Sequence, residues 1–238
     1  MRNYQCSRYK ERENLLYRAW GFPSPDSPYV VHFIYVHPIE WYLSIEQPFR
    51  FMDLPNEDML QFKCYELRDL LRLFRSSDAG VFEWLQSPTV YRQDTAFMEP
   101  LQKLMYSYYL EPVGRRHYTD TIRKLLERDL QAEEVSLKQY LYALRSVLAA
   151  LWIQTYIDYP PMDFNRLCSL VSDPVILSRI NGLLKLKAAT SEQHAIARDE
   201  ELNFFFEQTR EKCLGMSRIK KDTDAASLNK LFRKMVGL

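Results

Sequence analysis

Two periodicities divide this chain. Up to about residue 92 the apolar positions fall in short runs and alternations, whereas from Met98 they recur at helical spacing almost without interruption. A turn-rich entry, with Gly21, Pro23, Pro25 and the pair Asp26-Ser27, feeds residues 29–36, a β-branched and aromatic run that predicts a buried strand. Residues 49–54 alternate and predict a second strand. Between about 57 and 75, Leu60, Tyr65, Leu67, Leu70, Leu71 and Phe74 share one helical face, and Ser76-Ser77-Asp78-Ala79-Gly80 breaks that helix. Further helices are predicted near 98–110, 115–129, 134–156, 163–171, 174–187 and 191–213. Local punctuation agrees: Tyr159-Pro160-Pro161 ends one helix, Asp173 with Pro174 reads as an N-cap followed by proline, and Thr190-Ser191-Glu192-Gln193 offers a capping box.

The expected class is therefore α+β, a small mixed β-sheet core followed by a helical region. Its expected divisions are a charged N-terminal arm at 1–14, an α/β core at 15–97, a helical domain at 98–214 and a basic tail at 215–238. Within the tail, Leu228, Leu231, Phe232 and Met235 form one apolar stripe, which predicts a docked or frayed terminal helix; the alternative is a partner-binding or RNA-contacting tail.

Composition narrows the chemistry. With 238 residues and 47% hydrophobic content the chain can bury a sizeable core, and 32 basic against 31 acidic residues leave no global field to gather nucleic acid. Any nucleic-acid contact must come from a local patch. Cys6, Cys64, Cys168 and Cys213 are far apart and show no zinc-ligand spacing, so they read as reduced thiols. No segment approaches 18 apolar residues and no apolar signal core opens the chain, so the expectation is a cytoplasmic protein without a membrane partner. His32, His37, His117 and His194 are scattered, without Ser/His/Asp or His-x-x-x-His spacing.

Specific words in the chain carry more. Arg18-Ala19-Trp20-Gly21-Phe22, then Ser24-Pro25-Asp26-Ser27-Pro28-Tyr29-Val30 and Phe33-Ile34-Tyr35-Val36, resemble the bacterial predicted nucleotidyltransferases of the DNA polymerase β superfamily, the type associated with RNA repair. Glu83-Trp84-Leu85 through Pro88 and Tyr91, and Lys138-Gln139-Tyr140-Leu141-Tyr142-Ala143-Leu144-Arg145, extend the resemblance over about residues 15–205. Glu83, a lone carboxylate beside a tryptophan, invites a catalytic reading, but the favoured one is a helix or turn residue bonded to backbone.

The chemistry implied by this resemblance needs two carboxylates at i and i+2 on a strand and a third nearby, holding magnesium ions against a triphosphate. Aligned on the family words, those positions are Pro28, Val30 and Gln61, and a phosphate-cradling Gly-Ser pair falls on Leu16 and Tyr17. No catalytic acid is intact on this reading, and no metal or other cofactor is expected. Asp26, Ser27, Lys138, Tyr142 and Arg145 are the candidate phosphate or nucleotide contacts; the last three fall at i, i+4 and i+7 of one helix, off its expected apolar face.

The function expected is a catalytically degenerate nucleotidyltransferase-like protein that binds nucleotide or RNA or engages a protein partner. The alternative is an active magnesium-dependent enzyme moving a nucleoside monophosphate from a triphosphate onto RNA or protein, with displaced acids drawn from Asp26, Asp53, Glu57 or Asp58.

Overall fold

A computed structural model describes residues 17–45, 59–215 and 224–238. Along them run α1 (Tyr17–Trp20), β1 (Tyr29–Tyr35), α2 (Ile39–Leu43), β2 (Leu60–Glu66), α3 (Leu67–Arg75), α4 (Ala79–Trp84) and α5 (Thr95–Tyr108). Then follow α6 (Glu111–Lys124), a π-helical turn (Leu125–Asp129), β3 (Glu134–Ser136), α7 (Leu137–Tyr156), α8 (Phe164–Cys168), α9 (Pro174–Ala189), β4 (Ala195–Ala197), α10 (Glu200–Cys213) and α11 (Ala226–Val236). The protein is α+β, as its periodicities predict. Its contacts group into two compact units: one holds Pro28–Tyr109 and α11, the other Tyr17–Ser27 with α6 through α10.

In the first unit β1 and β2 pair in parallel, with Val30 opposite Gln61, His32 opposite Lys63 and Phe33 opposite Cys64. Residues aligned across a ladder point to the same face and alternate along each strand, and ring contacts mark both faces. His32 stacks on Tyr65 at 5.7 Å and on Trp84 at 5.3 Å, while Phe33 meets Phe62 edge-on at 6.4 Å. The segment 60–66, expected to open a helix, is a strand. Gln61, Lys63 and Tyr65 alternate with Phe62 and Cys64, and the β1 ladder rewards that alternation. Helix begins only at Leu67, where the Glu66 side chain accepts from the Asp69 amide at 3.1 Å. The strand expected at 49–54 lies outside the described residues.

α11 packs on α3 and α5, burying Leu228 and Leu231, and this is the docked helix that the apolar stripe predicts. Phe232 meets Tyr42 edge-on at 5.1 Å, and the Arg68 guanidinium lies over both rings. A further contact answers a defect in α5. Pro100, inside that helix, has no N–H to give the carbonyl four residues back. That acceptor is Ala96 O, and Lys234 Nζ of α11 donates to it at 3.2 Å.

The second unit is built on α7, which packs against α6, α8, α9 and α10. Tyr140, Leu141, Leu144, Val147, Leu148 and Ile153 are all fully buried, as expected of a helix that is apolar nearly all round. Its first predicted residues instead form β3, antiparallel to β4 with Val135 opposite Ile196. The helix predicted from 115 to 129 is α6 continued by the π-helical turn, with Pro112 in its first turn. The predicted cap before α9 is present, with Asp173 accepting from the Val175 and Ile176 amides. The predicted capping box at 190–193 is not: α9 runs to Ala189, a turn and β4 follow, and α10 begins at Glu200 with Asp199 as its cap. Asp199 is the better cap because its carboxylate accepts from both Glu201 N and Leu202 N, while its own N–H donates to Tyr140 Oη at 2.7 Å.

Candidate functional site

The candidate residues fall in two places, one in each unit. On the first unit's ladder, Pro28 precedes β1, Val30 is 4% exposed, and Gln61 stands directly across from Val30. The register thus sets position 61 beside position 30 on one face. Two residues further along that face is His32, its two ring nitrogens buried without a hydrogen-bond partner. Burial, with a contribution from the Lys63 charge, lowers this imidazole to about 4. Among the described residues no three His, Cys, Asp or Glu side chains gather closely enough to hold a metal ion. Asp53, Glu57, Asp58, Leu16 and the Tyr17 side chain lie outside the described structure.

In the second unit the Trp20-Gly21-Phe22 word becomes intelligible as packing. Trp20 is buried, stacked on Tyr142 at 6.1 Å, and the Arg145 guanidinium sits over its ring at 4.5 Å. Gly21 then turns the backbone at φ +98°, a region that side chains with a Cβ rarely enter. The turn delivers Phe22 edge-on to Phe164 at 5.0 Å. Arg145, expected on a solvated face, is 1% exposed. The reason is visible in the composition of α7: Arg145 is its only charged residue beyond Lys138, so most of the helix circumference is core. Tyr142 is 37% exposed and the Lys138 side chain 42%.

From Phe22 the chain enters the 24–27 turn, where Ser27 N donates to Ser24 O and Ser24 N donates to Ser27 Oγ. This turn is tied to the end of α9. Ser24 Oγ donates to Lys187 O at 3.2 Å, Glu192 N donates to Asp26 Oδ1 at 2.8 Å, and Ser27 Oγ donates to Glu192 Oε1. Two ammonium groups meet the same carboxylate, Lys187 Nζ at 2.8 Å and Lys138 Nζ at 3.6 Å. Burial raises the Glu192 carboxyl, but the hydrogen bonds from Lys187 and Ser27 and the two lysine charges outweigh it and hold the group below its usual value. Asp26, Ser27 and Lys138 are therefore brought together, with Tyr142 one helical turn beyond Lys138, while Arg145 is spent in the core. Lys187 and Glu192 were missed from sequence. Lys187 had a legible signal, since it stands where the spacing of Ile176, Ile180 and Leu183 calls for an apolar residue.

Against known proteins, the family model described as RNA repair pathway DNA polymerase beta family matches residues 17–234. The chain belongs to that family. A relative in Bacillus subtilis (strain 168), the uncharacterized protein YcgL, is 37% identical over 223 residues, covering 92% of this chain and 86% of the relative. No solved structure matches. Membership in the RNA repair polymerase β family makes this a nucleotidyltransferase-like protein, and the match takes in both the 28–30 strand entry and the 24–27 turn. Among the described residues no helix is long and apolar enough to cross a membrane. Burial raises the thiols of Cys168 and Cys213 to about 11, so neither is a ready nucleophile.

Proposed function

We propose that this member of the RNA repair polymerase β family has lost nucleotidyl transfer and serves as a nucleotide- or RNA-binding, or protein-interacting, component in the cytoplasm. The carrying observation is the Val30–Gln61 pair. Two-metal transfer requires carboxylates that clamp two ions about 3.5–4 Å apart, and the β1–β2 register sets Gln61 directly across from Val30. The residues there are a buried valine and an amide, with Pro28 two positions before Val30. These side chains do not fit magnesium, because none of them supplies a carboxylate. A binding role draws support from Lys138 and Tyr142, which keep part of their side chains at the surface.

The test is incubation of the full chain with magnesium, each labelled nucleoside triphosphate and RNA carrying either 5′ or 3′ ends. No incorporation above the protein-free control is expected, while calorimetric titration of the same nucleotides should show any binding to be independent of magnesium. Robust incorporation that disappears in Glu57→Gln or Asp58→Asn would instead make the chain an active transferase with displaced acids.

A further inference from the structure

Glu192 is held in the way proteins hold a bound oxyanion. Its carboxylate receives one hydroxyl, from Ser27, and two ammonium groups, from Lys187 and Lys138. Ser27 and Lys187 are both fully buried. Converging charged donors of this kind suit a phosphate as well as a carboxylate. Here the chain supplies the anion itself.

Three features set the cluster apart from an ordinary internal ion pair. Lys187 occupies the buried stripe of α9, after Ile176, Ile180 and Leu183, where an apolar side chain would secure the helix without the desolvation of an ammonium group. A cleft also borders the cluster. Gly21, Phe22, Pro23, Ser24, Pro25, Leu184 and Ala188 line an open space of about 500 Å³, within the size range of small-molecule sites. Ser24 connects cleft to cluster, since its N–H donates to Ser27 Oγ and its hydroxyl to the Lys187 carbonyl. Glu192 moreover sits in the turn between α9 and β4, flanked by exposed Ser191 and Gln193, so its side chain can swing out without unravelling a helix.

We infer that Ser27, Lys138 and Lys187 form a phosphate-binding site that Glu192 occupies as an internal surrogate, to be displaced by the phosphate of an incoming ligand. Displacement leaves two cations facing the new anion. The opposing contribution is Asp26, whose carboxylate holds the Glu192 amide and repels a phosphate brought close to it. The wild-type site is therefore largely self-occupied and weak for external anions. This deepens the binding role proposed above and rests on it, yet the two can fail separately, because the transfer assay reads catalysis and the following experiment reads the anion site.

Thermal melting of the full chain is followed in inorganic phosphate, in pyrophosphate and in sodium chloride of equal ionic strength, for wild type, Glu192→Ala and Glu192→Gln. Both variants should melt below wild type in chloride. Phosphate or pyrophosphate should then raise the Glu192→Ala melting temperature saturably, with a midpoint at least about tenfold lower than for wild type, because the internal competitor is gone. Adding Lys138→Met should weaken that response. Glu192→Gln keeps the volume and an acceptor for Ser27, so it carries the comparison should the alanine variant fail to fold. A response to phosphate no larger than to chloride in the folded variants, or equal in all three proteins, overturns the inference and leaves Glu192 a structural clamp.

Discussion

Replacing Arg145 separates two accounts of α7 that agree on sequence and differ on physics. If the side chain were on a solvated face, Arg145→Ala would leave stability within about 0.5 kcal/mol of wild type, the usual range for surface changes. The structure instead buries it to 1% with the guanidinium 4.5 Å from the centre of the Trp20 ring. A desolvated cation–π contact contributes about 2 kcal/mol, and deleting the aliphatic stem from a packed position opens a cavity costing about another 1–3 kcal/mol. Arg145→Ala is therefore expected to cost about 3–5 kcal/mol, a large share of the roughly 5–15 kcal/mol that holds a domain folded. Arg145→Met keeps the stem and loses the charge, so it should cost about 2 kcal/mol. Urea unfolding followed by far-UV circular dichroism and tryptophan emission measures both, with an unchanged slope showing that the shift lies in stability. An alanine variant indistinguishable from wild type would refute the packing account and restore the arginine to the surface.

The other predictions rest on separate features. His32 is held at about 4 against an ordinary value of 6.5, so the unfolded chain binds the extra proton and stability should fall as pH drops through that interval, by at most about 3 kcal/mol. His32→Phe should flatten the pH dependence of the urea midpoint between those values. Ile157 caps α7 at φ +56°, where a β-branched residue is strained; Ile157→Gly should raise stability by about 0.5–1 kcal/mol, read from the same curves. Lys234→Met removes the donor to the Ala96 carbonyl and should cost about 1 kcal/mol, with faster amide exchange in the first turns of α5.

Much of the architecture was written in local signals. The run from Tyr29 onward predicts β1, Asp173-Pro174 marks the start of α9, and the apolar stripe of α11 foretells its docking, because caps and periodicity act over a few residues. The family words, and with them the positions of Pro28, Val30 and Gln61, were legible only through resemblance, not through caps or periodicity. What local signals could not carry depends on partners distant in the chain. Residues 60–66 read as the opening of a helix, yet pairing with β1 makes them a strand. Thr190 to Gln193 spelled a capping box, yet Glu192 is bound to Ser27, 165 positions away. Arg145 read as a phosphate contact because its spacing from Lys138 and Tyr142 is helical, but only tertiary packing decides whether a face meets solvent or Trp20. The charge of a side chain is a property of the sequence. Whether that charge is solvated, paired or buried depends on the surrounding dielectric and on groups brought close by folding, and here that separated the candidate site from the core.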